Sequence, residues 1–136
     1  MEMLRMDHIT KIYPNGFVAN KDVTFAVNEG EIHSLVGENG AGKTTLMKIL
    51  FGMEDKQGGD IFIREQKVKI TSPLDAISKG VGMVHQHFML LNSLTVAENV
   101  VLGIEPMKNG LFDFEEAVVM TQKIADKYNF ALDART

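Results

Sequence analysis

The chain has 136 residues, 45% of them apolar, which suffices for one domain with a buried core. A net charge of −4 argues against the broad basic face that nucleic acid or an anionic lipid surface requires, so any anion is expected to be held by local geometry. The absence of cysteine excludes disulfides and thiolate metal sites and fits a reducing compartment.

The first residues, MEMLRMDHITKIYPNG, mix Glu2, Arg5, Asp7 and Lys11 with apolar side chains and do not read as a signal peptide. Residues 3–13 and 22–28 read as strands separated by the turn Pro14-Asn15-Gly16, the second with alternating Val23, Phe25 and Val27. Residues 31–36, EIHSLV, read as a short buried central strand leading into a glycine-rich loop. Beyond the loop, Leu46, Ile49, Leu50 and Met53 recur at helical spacing. Gly58-Gly59 then separates that helix from two short strands near 60–64 and 67–70.

Ser72 followed by Pro73, with Asp75 three residues after the serine, predicts an N-cap and a short helix that Gly80 ends. Residues 81–84, VGMV, suit another buried strand, and HQHFMLLNS is irregular. Thr95 and Glu98 form a capping-box pattern. Asp113 and Glu116 open a long helix with Phe114, Ala117, Val118, Thr121, Ala125 and Tyr128 on one face, read as core packing. The longest uncharged stretch, Gly80 to Ala97, is broken by His85, Gln86, His87, Asn92, Ser93 and Thr95 and does not read as a membrane span.

The loop Gly37-Glu38-Asn39-Gly40-Ala41-Gly42-Lys43-Thr44 fills the pattern G-x-x-x-x-G-K-[ST] between a predicted strand and a helix. Glycines let backbone N–H groups turn inward and come close to a polyphosphate, and the helix N-terminus adds its positive end. Lys43 would reach the outer phosphates of a nucleotide, and the Thr44 hydroxyl would meet Mg²⁺. His85 and His87 alternate on an extended segment, but no third ligand lies near them, so no metal site is expected there. The nine methionines read as core filler.

Two blocks, GEIHSLVGENGAGKTTLMKILFG and GVGMVHQHFMLLNSLTVAENVVLG, closely resemble the first nucleotide-binding domain of ABC transporter ATPases of the simple-sugar and nucleoside importer type. The resemblance covers essentially the whole chain. It implies an α/β P-loop NTPase core with an N-terminal antiparallel β subdomain and the start of a helical subdomain, divided as residues 1–88 and 89–136. Within it, Gly37 to Thr45 bind the phosphates of ATP, Tyr13 stacks on adenine, and Lys43 and Gln86 serve catalysis. Thr44 and Gln86 contact Mg²⁺, Gln86 also reaching the attacking water and the transmembrane partner.

The resemblance further implies a peripheral subunit on the cytoplasmic face of the cell membrane that hydrolyses ATP to drive uptake of a simple sugar or nucleoside. Its partners are permease subunits and a second nucleotide-binding domain, with a substrate-binding protein acting indirectly; neither nucleic acid nor direct membrane insertion is implied. The family's Asp-Glu pair after an apolar strand, its histidine switch and its LSGGQ-type signature do not occur in these residues. The chain therefore reads as an N-terminal fragment that binds nucleotide without turning it over and whose strand edges invite self-association. A non-hydrolytic ATP-binding regulator is the alternative. A GTPase reading rests on Asp55-Lys-Gln-Gly58 alone; that D-x-x-G match follows the loop helix too closely, and no N-K-x-D reader occurs.

Overall fold

The computed structural model describes residues 1–87 and 89–136. They form two compact units, Met1–Val84 and His85–Thr136.

The first unit is built on two long strands, β1 (Glu2–Ile12) and β2 (Val18–Asn28), joined by the predicted turn at Pro14–Gly16. The Tyr13 and Phe17 backbones close that turn, Tyr13 N–H donating to the Phe17 carbonyl at 2.8 Å. After the loop comes α1 (Lys43–Leu50), then β3 (Gly58–Ile63), β4 (Gln66–Val68) and α2 (Pro73–Ser78). The sheet is wholly antiparallel, in the order β2-β1-β3-β4. An irregularity in β1 between Met6 and Ile9, with His8 at φ +52°, resets the alternation so that both side chains reach one core, where Ile61 of β3 joins them. On that face α1 lays down Leu46, Ile49 and Leu50. Each such side chain taken out of water contributes roughly 1.5–3 kcal/mol, so this contact is what fixes α1, and with it the glycine loop, to the sheet.

The caps behave as their residue types dictate. Ser72 Oγ accepts from Asp75 N–H with Pro73 at the first helical position, and Gly80 closes the segment at φ +87°. Gly58 and Gly59, expected as a separator, are the first residues of β3.

Two expectations are corrected. Residues 31–36 and 81–84 are extended but are not strands. A central strand exists only when a neighbour completes its ladder, and among the described residues β1 to β4 pair with one another and with neither run. Their apolar side chains therefore stand in water: Ile32, Val36 and Val84 are 98%, 89% and 87% exposed. Only Val81 packs on the core, its N–H donating to the Ala76 carbonyl at 3.0 Å.

The second unit holds α3 (Val96–Val101), a two-residue hairpin of β5 (Met107–Lys108) and β6 (Leu111–Phe112), and α4 (Phe114–Lys127). The Thr95–Glu98 capping box is complete at the start of α3, and Asp113 caps α4 by accepting from Glu116 N–H. Small residues let the helices approach: Ala97 and Val101 meet Ala117, with Ala134 closing the cluster. Tyr128, expected on the packed face of α4, lies beyond its last residue and is 61% exposed. The segment around HQHFMLLNS carries no helix or strand on either side of Phe88, which lies outside the described residues. No helix among the described residues is long and apolar enough to cross a membrane.

Candidate functional site

The glycine loop runs straight into α1, whose N-cap is Gly42. Gly40 and Gly42 have φ of +84° and +95°, backbone that side-chain-bearing residues adopt at a cost. No side chain caps the helix start, so its orphan N–H groups and the positive end of its dipole are available to an anion. The second strand holds this geometry from behind. Asn20, 5% exposed on β2, donates from Nδ2 to the Gly42 carbonyl at 3.1 Å, and the same carbonyl accepts from Leu46 N–H at 2.9 Å. The backbone of Ala19 presses so closely on Gly42 that a Cβ there would collide with its carbonyl oxygen.

Lys43, the first residue of α1, folds its ammonium back over the loop and donates to the carbonyls of Gly37 and Glu38, the latter at 2.8 Å. A charged donor is thus stationed at the point where the loop turns. In front of the loop lies a cleft of about 230 Å³ lined by Phe17, Ala19 and residues 39–45. Among its walls, Thr44 is exposed and Thr45 half-buried. The Thr45 hydroxyl hydrogen-bonds the Tyr13 hydroxyl at 3.3 Å.

Tyr13 sits at the centre of a small assembly. Its ring stacks with that of Phe17, centroids 6.4 Å apart and planes 23° apart, and the Lys11 ammonium lies 5.0 Å from its centroid. Lys11 is buried, its side chain 4% exposed, and is paired with Asp55 at 2.6 Å and Glu54 at 3.4 Å. The hydrogen bond to Asp55, together with Glu54, raises the Lys11 pKa against the opposing effect of burial, and Lys11 in turn lowers that of Asp55. Asp55 is thereby occupied as the anchor of a buried lysine.

Tyr13 does not line the cleft; Phe17 does. Sequence reasoning passed over Phe17 because an apolar residue at the start of a strand ordinarily signals sheet packing. It also passed over Asn20, which stands beside Lys21 and Asp22 in β2 and shows its role only once its burial is seen, since a buried polar side chain needs a hydrogen-bond partner.

Gln86 belongs to the second unit and is exposed. His85 and His87 flank it, and among the described residues no cluster of three or more His, Cys, Asp or Glu is arranged to hold a metal ion. The side-chain oxygen donors along the cleft are the Thr44 and Thr45 hydroxyls and the Asn39 amide, a set without carboxylates that fits Mg²⁺ carried in by phosphates better than Mg²⁺ caged by protein.

Comparison with known proteins gives the family. The family model for the ABC transporter matches residues 20–135. Guanosine import ATP-binding protein NupO of Bacillus subtilis is 48% identical over 130 residues, 96% of this chain and 25% of that protein. Glucose import ATP-binding protein TsgD13 of Haloferax volcanii is 57% identical over 100 residues, 74% of this chain and 18% of that one. The chain thus spans about a quarter or less of the length of these relatives. A solved ATP-binding cassette of an ABC transporter superposes with a TM-score of 0.80 at 24% identity, covering 99% of this chain and 57% of the other. A nucleotide-free cassette does so with a TM-score of 0.77 at 22% identity and the same coverage, and these two likenesses speak for the fold. By its antiparallel β unit, its glycine loop ahead of α1 and the family match over residues 20–135, the chain belongs to the ABC transporter family.

Proposed function

We propose that this chain is the nucleotide-binding portion of an ATP-driven importer subunit, and that it binds Mg·ATP with the phosphates in the loop from Gly37 to Thr45. The observation that carries the proposal is the start of α1: an uncapped helix N-terminus behind a left-handed glycine, with the Lys43 ammonium stationed over the loop carbonyls. Such a site stabilises negative charge on a chain whose net charge is −4. In this reading Lys43 moves from the Gly37 and Glu38 carbonyls to the outer phosphates, and the Thr44 hydroxyl ligates the Mg²⁺ that those phosphates carry. The resemblance supports Gln86 as a further contact to Mg²⁺ and the attacking water. The base lies toward the aromatic pair Tyr13 and Phe17, the side of the cleft away from the loop.

Bound Mg²⁺ would neutralise phosphate charge. Turnover needs carboxylates and γ-phosphate donors that these residues do not supply, so the chain is expected to bind without hydrolysing. The names of the relatives support import of a nucleoside or simple sugar as the work of the whole protein, through permease subunits and a second nucleotide-binding domain at the cytoplasmic face of the membrane.

Titration with Mg·ATP tests the proposal. Lys43→Ala should weaken binding by about 10- to 100-fold, the worth of a charge-assisted hydrogen bond of roughly 1.5–3 kcal/mol. Equal affinity in wild type and Lys43→Ala would exclude the loop as the phosphate site, and steady phosphate release abolished by Lys43→Ala would exclude binding without turnover.

A further inference from the structure

Asn20 carries an imbalance that packing alone does not explain. It lies in β2 opposite Lys11 of β1 and is 5% exposed. Its Nδ2 donates to the Gly42 carbonyl at 3.1 Å, while its Oδ1 is buried and has no hydrogen-bond partner among the described residues. Turning the amide over would set Oδ1 against the Gly42 oxygen, acceptor against acceptor, so the nitrogen faces the loop and the oxygen is the atom left unmatched. A buried acceptor without a partner is destabilising.

Nor does the Gly42 carbonyl require this bond. It already accepts from Leu46 N–H at 2.9 Å, the first rung of α1. An apolar side chain of similar size at residue 20 would leave that carbonyl satisfied and would remove the unmatched oxygen. For stability alone, then, the amide is the poorer choice.

What the amide supplies is direction. The peptide between Gly42 and Lys43 is trans and planar, so its carbonyl and its N–H point in opposite directions. With the carbonyl held by Asn20 and by Leu46 together, that plane is fixed and Lys43 N–H is aimed back out of the helix start, which no side chain caps. Gly42 needs such a restraint more than another residue would, because without a Cβ its φ of +95° is one option among several. Ala19, the neighbour of Asn20 in β2, stands with residues 39–45 among the walls of the cleft.

We propose that Asn20 is a positioning residue for the phosphate loop: from behind the loop, its amide turns the Gly42–Lys43 peptide so that the N–H at the start of α1 meets an incoming polyphosphate. The proposal rests on the reading of the loop as a nucleotide-phosphate site and adds to it a residue that touches no ligand and sets the affinity of those that do.

The test sets stability against affinity, two quantities that a merely structural asparagine would move together. Wild type and Asn20→Leu, each as the 136-residue chain, are melted and then titrated calorimetrically with Mg·tripolyphosphate. Asn20→Leu is expected to melt no lower than wild type and to bind about 3- to 10-fold more weakly. Asn20→Asp keeps the shape, loses the donor and puts a negative charge behind the loop, so its binding is expected to weaken roughly tenfold or more. In ¹⁵N–¹H spectra, the Lys43 amide of wild type should shift on saturation with Mg·tripolyphosphate, and that of Asn20→Leu should shift less. If wild type binds and Asn20→Leu binds equally well, the assignment falls and the phosphate site stands. Loss of melting temperature in Asn20→Leu alongside loss of affinity makes Asn20 ordinary structural support and also overturns the assignment. If wild type does not bind Mg·tripolyphosphate, the phosphate reading itself is wrong and this proposal goes with it.

Discussion

Replacing Gly42 by alanine isolates what the second strand does for the loop. Two penalties stack at this position. The backbone stands at φ +95°, and left-handed conformation costs a side-chain-bearing residue roughly 1–2 kcal/mol. The new Cβ would also lie 2.7 Å from Asn20 Nδ2 and nearer still to the Ala19 carbonyl oxygen. Neither neighbour yields freely, because Asn20 is paired with Lys11 across the sheet. Relief means pushing Gly42 off β2 and breaking the Asn20 hydrogen bond, a further ~0.5–1.5 kcal/mol. The sum is about 1.5–3.5 kcal/mol. Gly40 supplies the control: its φ is +84°, yet a Cβ there meets nothing within 4 Å, so Gly40→Ala carries the backbone term alone. In urea, with a slope of roughly 1–3 kcal/mol per molar, Gly42→Ala should move the unfolding midpoint of the first unit about 1–2 M downward and Gly40→Ala distinctly less. Coincident midpoints for the two variants would refute the claim that β2 crowds the loop.

Three other outcomes follow from the same contacts. Lys11→Met should leave thermal stability nearly unchanged, since an apolar side chain of like size replaces a buried ion, whereas the double change Glu54→Gln with Asp55→Asn should lower it by stranding the ammonium; calorimetric melting of both variants decides the order. His8 has its pKa raised, chiefly by its hydrogen bond to Asp22, so its contribution is present below its unfolded value near 6.5 and lost as pH rises through the higher folded value. Wild type should accordingly lose its melting-temperature advantage over His8→Asn between pH 6 and pH 9, asparagine being chosen because residue 8 has φ +52°. Thr95→Ala removes one half of the capping box and should cost the second unit about 1 kcal/mol, read as faster amide exchange along α3 with the first unit untouched.

Local signals carried far along this chain, and signals that need a distant partner did not. Ser72-Pro73-Asp75, Thr95 with Glu98 and Asp113 with Glu116 each specify their own cap within four residues, and all three stand as read. The phosphate-loop pattern likewise encodes its own left-handed glycines. By contrast EIHSLV and VGMV have strand composition but no ladder, because pairing is a property of two segments and composition belongs to one. The hairpin at 107–112 had a sign that went unread: Asn109-Gly110, both at positive φ, is the residue pair that a tight two-residue turn requires. Phe17 was invisible for a different reason. Its role at the cleft depends on where the Pro14–Gly16 turn lifts it relative to a loop more than twenty residues away, and nothing in its neighbours' spacing encodes that.

The Lys43 ammonium is already hydrogen-bonded to two peptide oxygens before any guest arrives. Capture is therefore a trade of partners, and a guest must offer more than two neutral dipoles do. On the proposed phosphate reading, a chain of phosphates with several charges would compete for the ammonium better than a singly charged anion would. The loop would then sort its guests by the charge they bring.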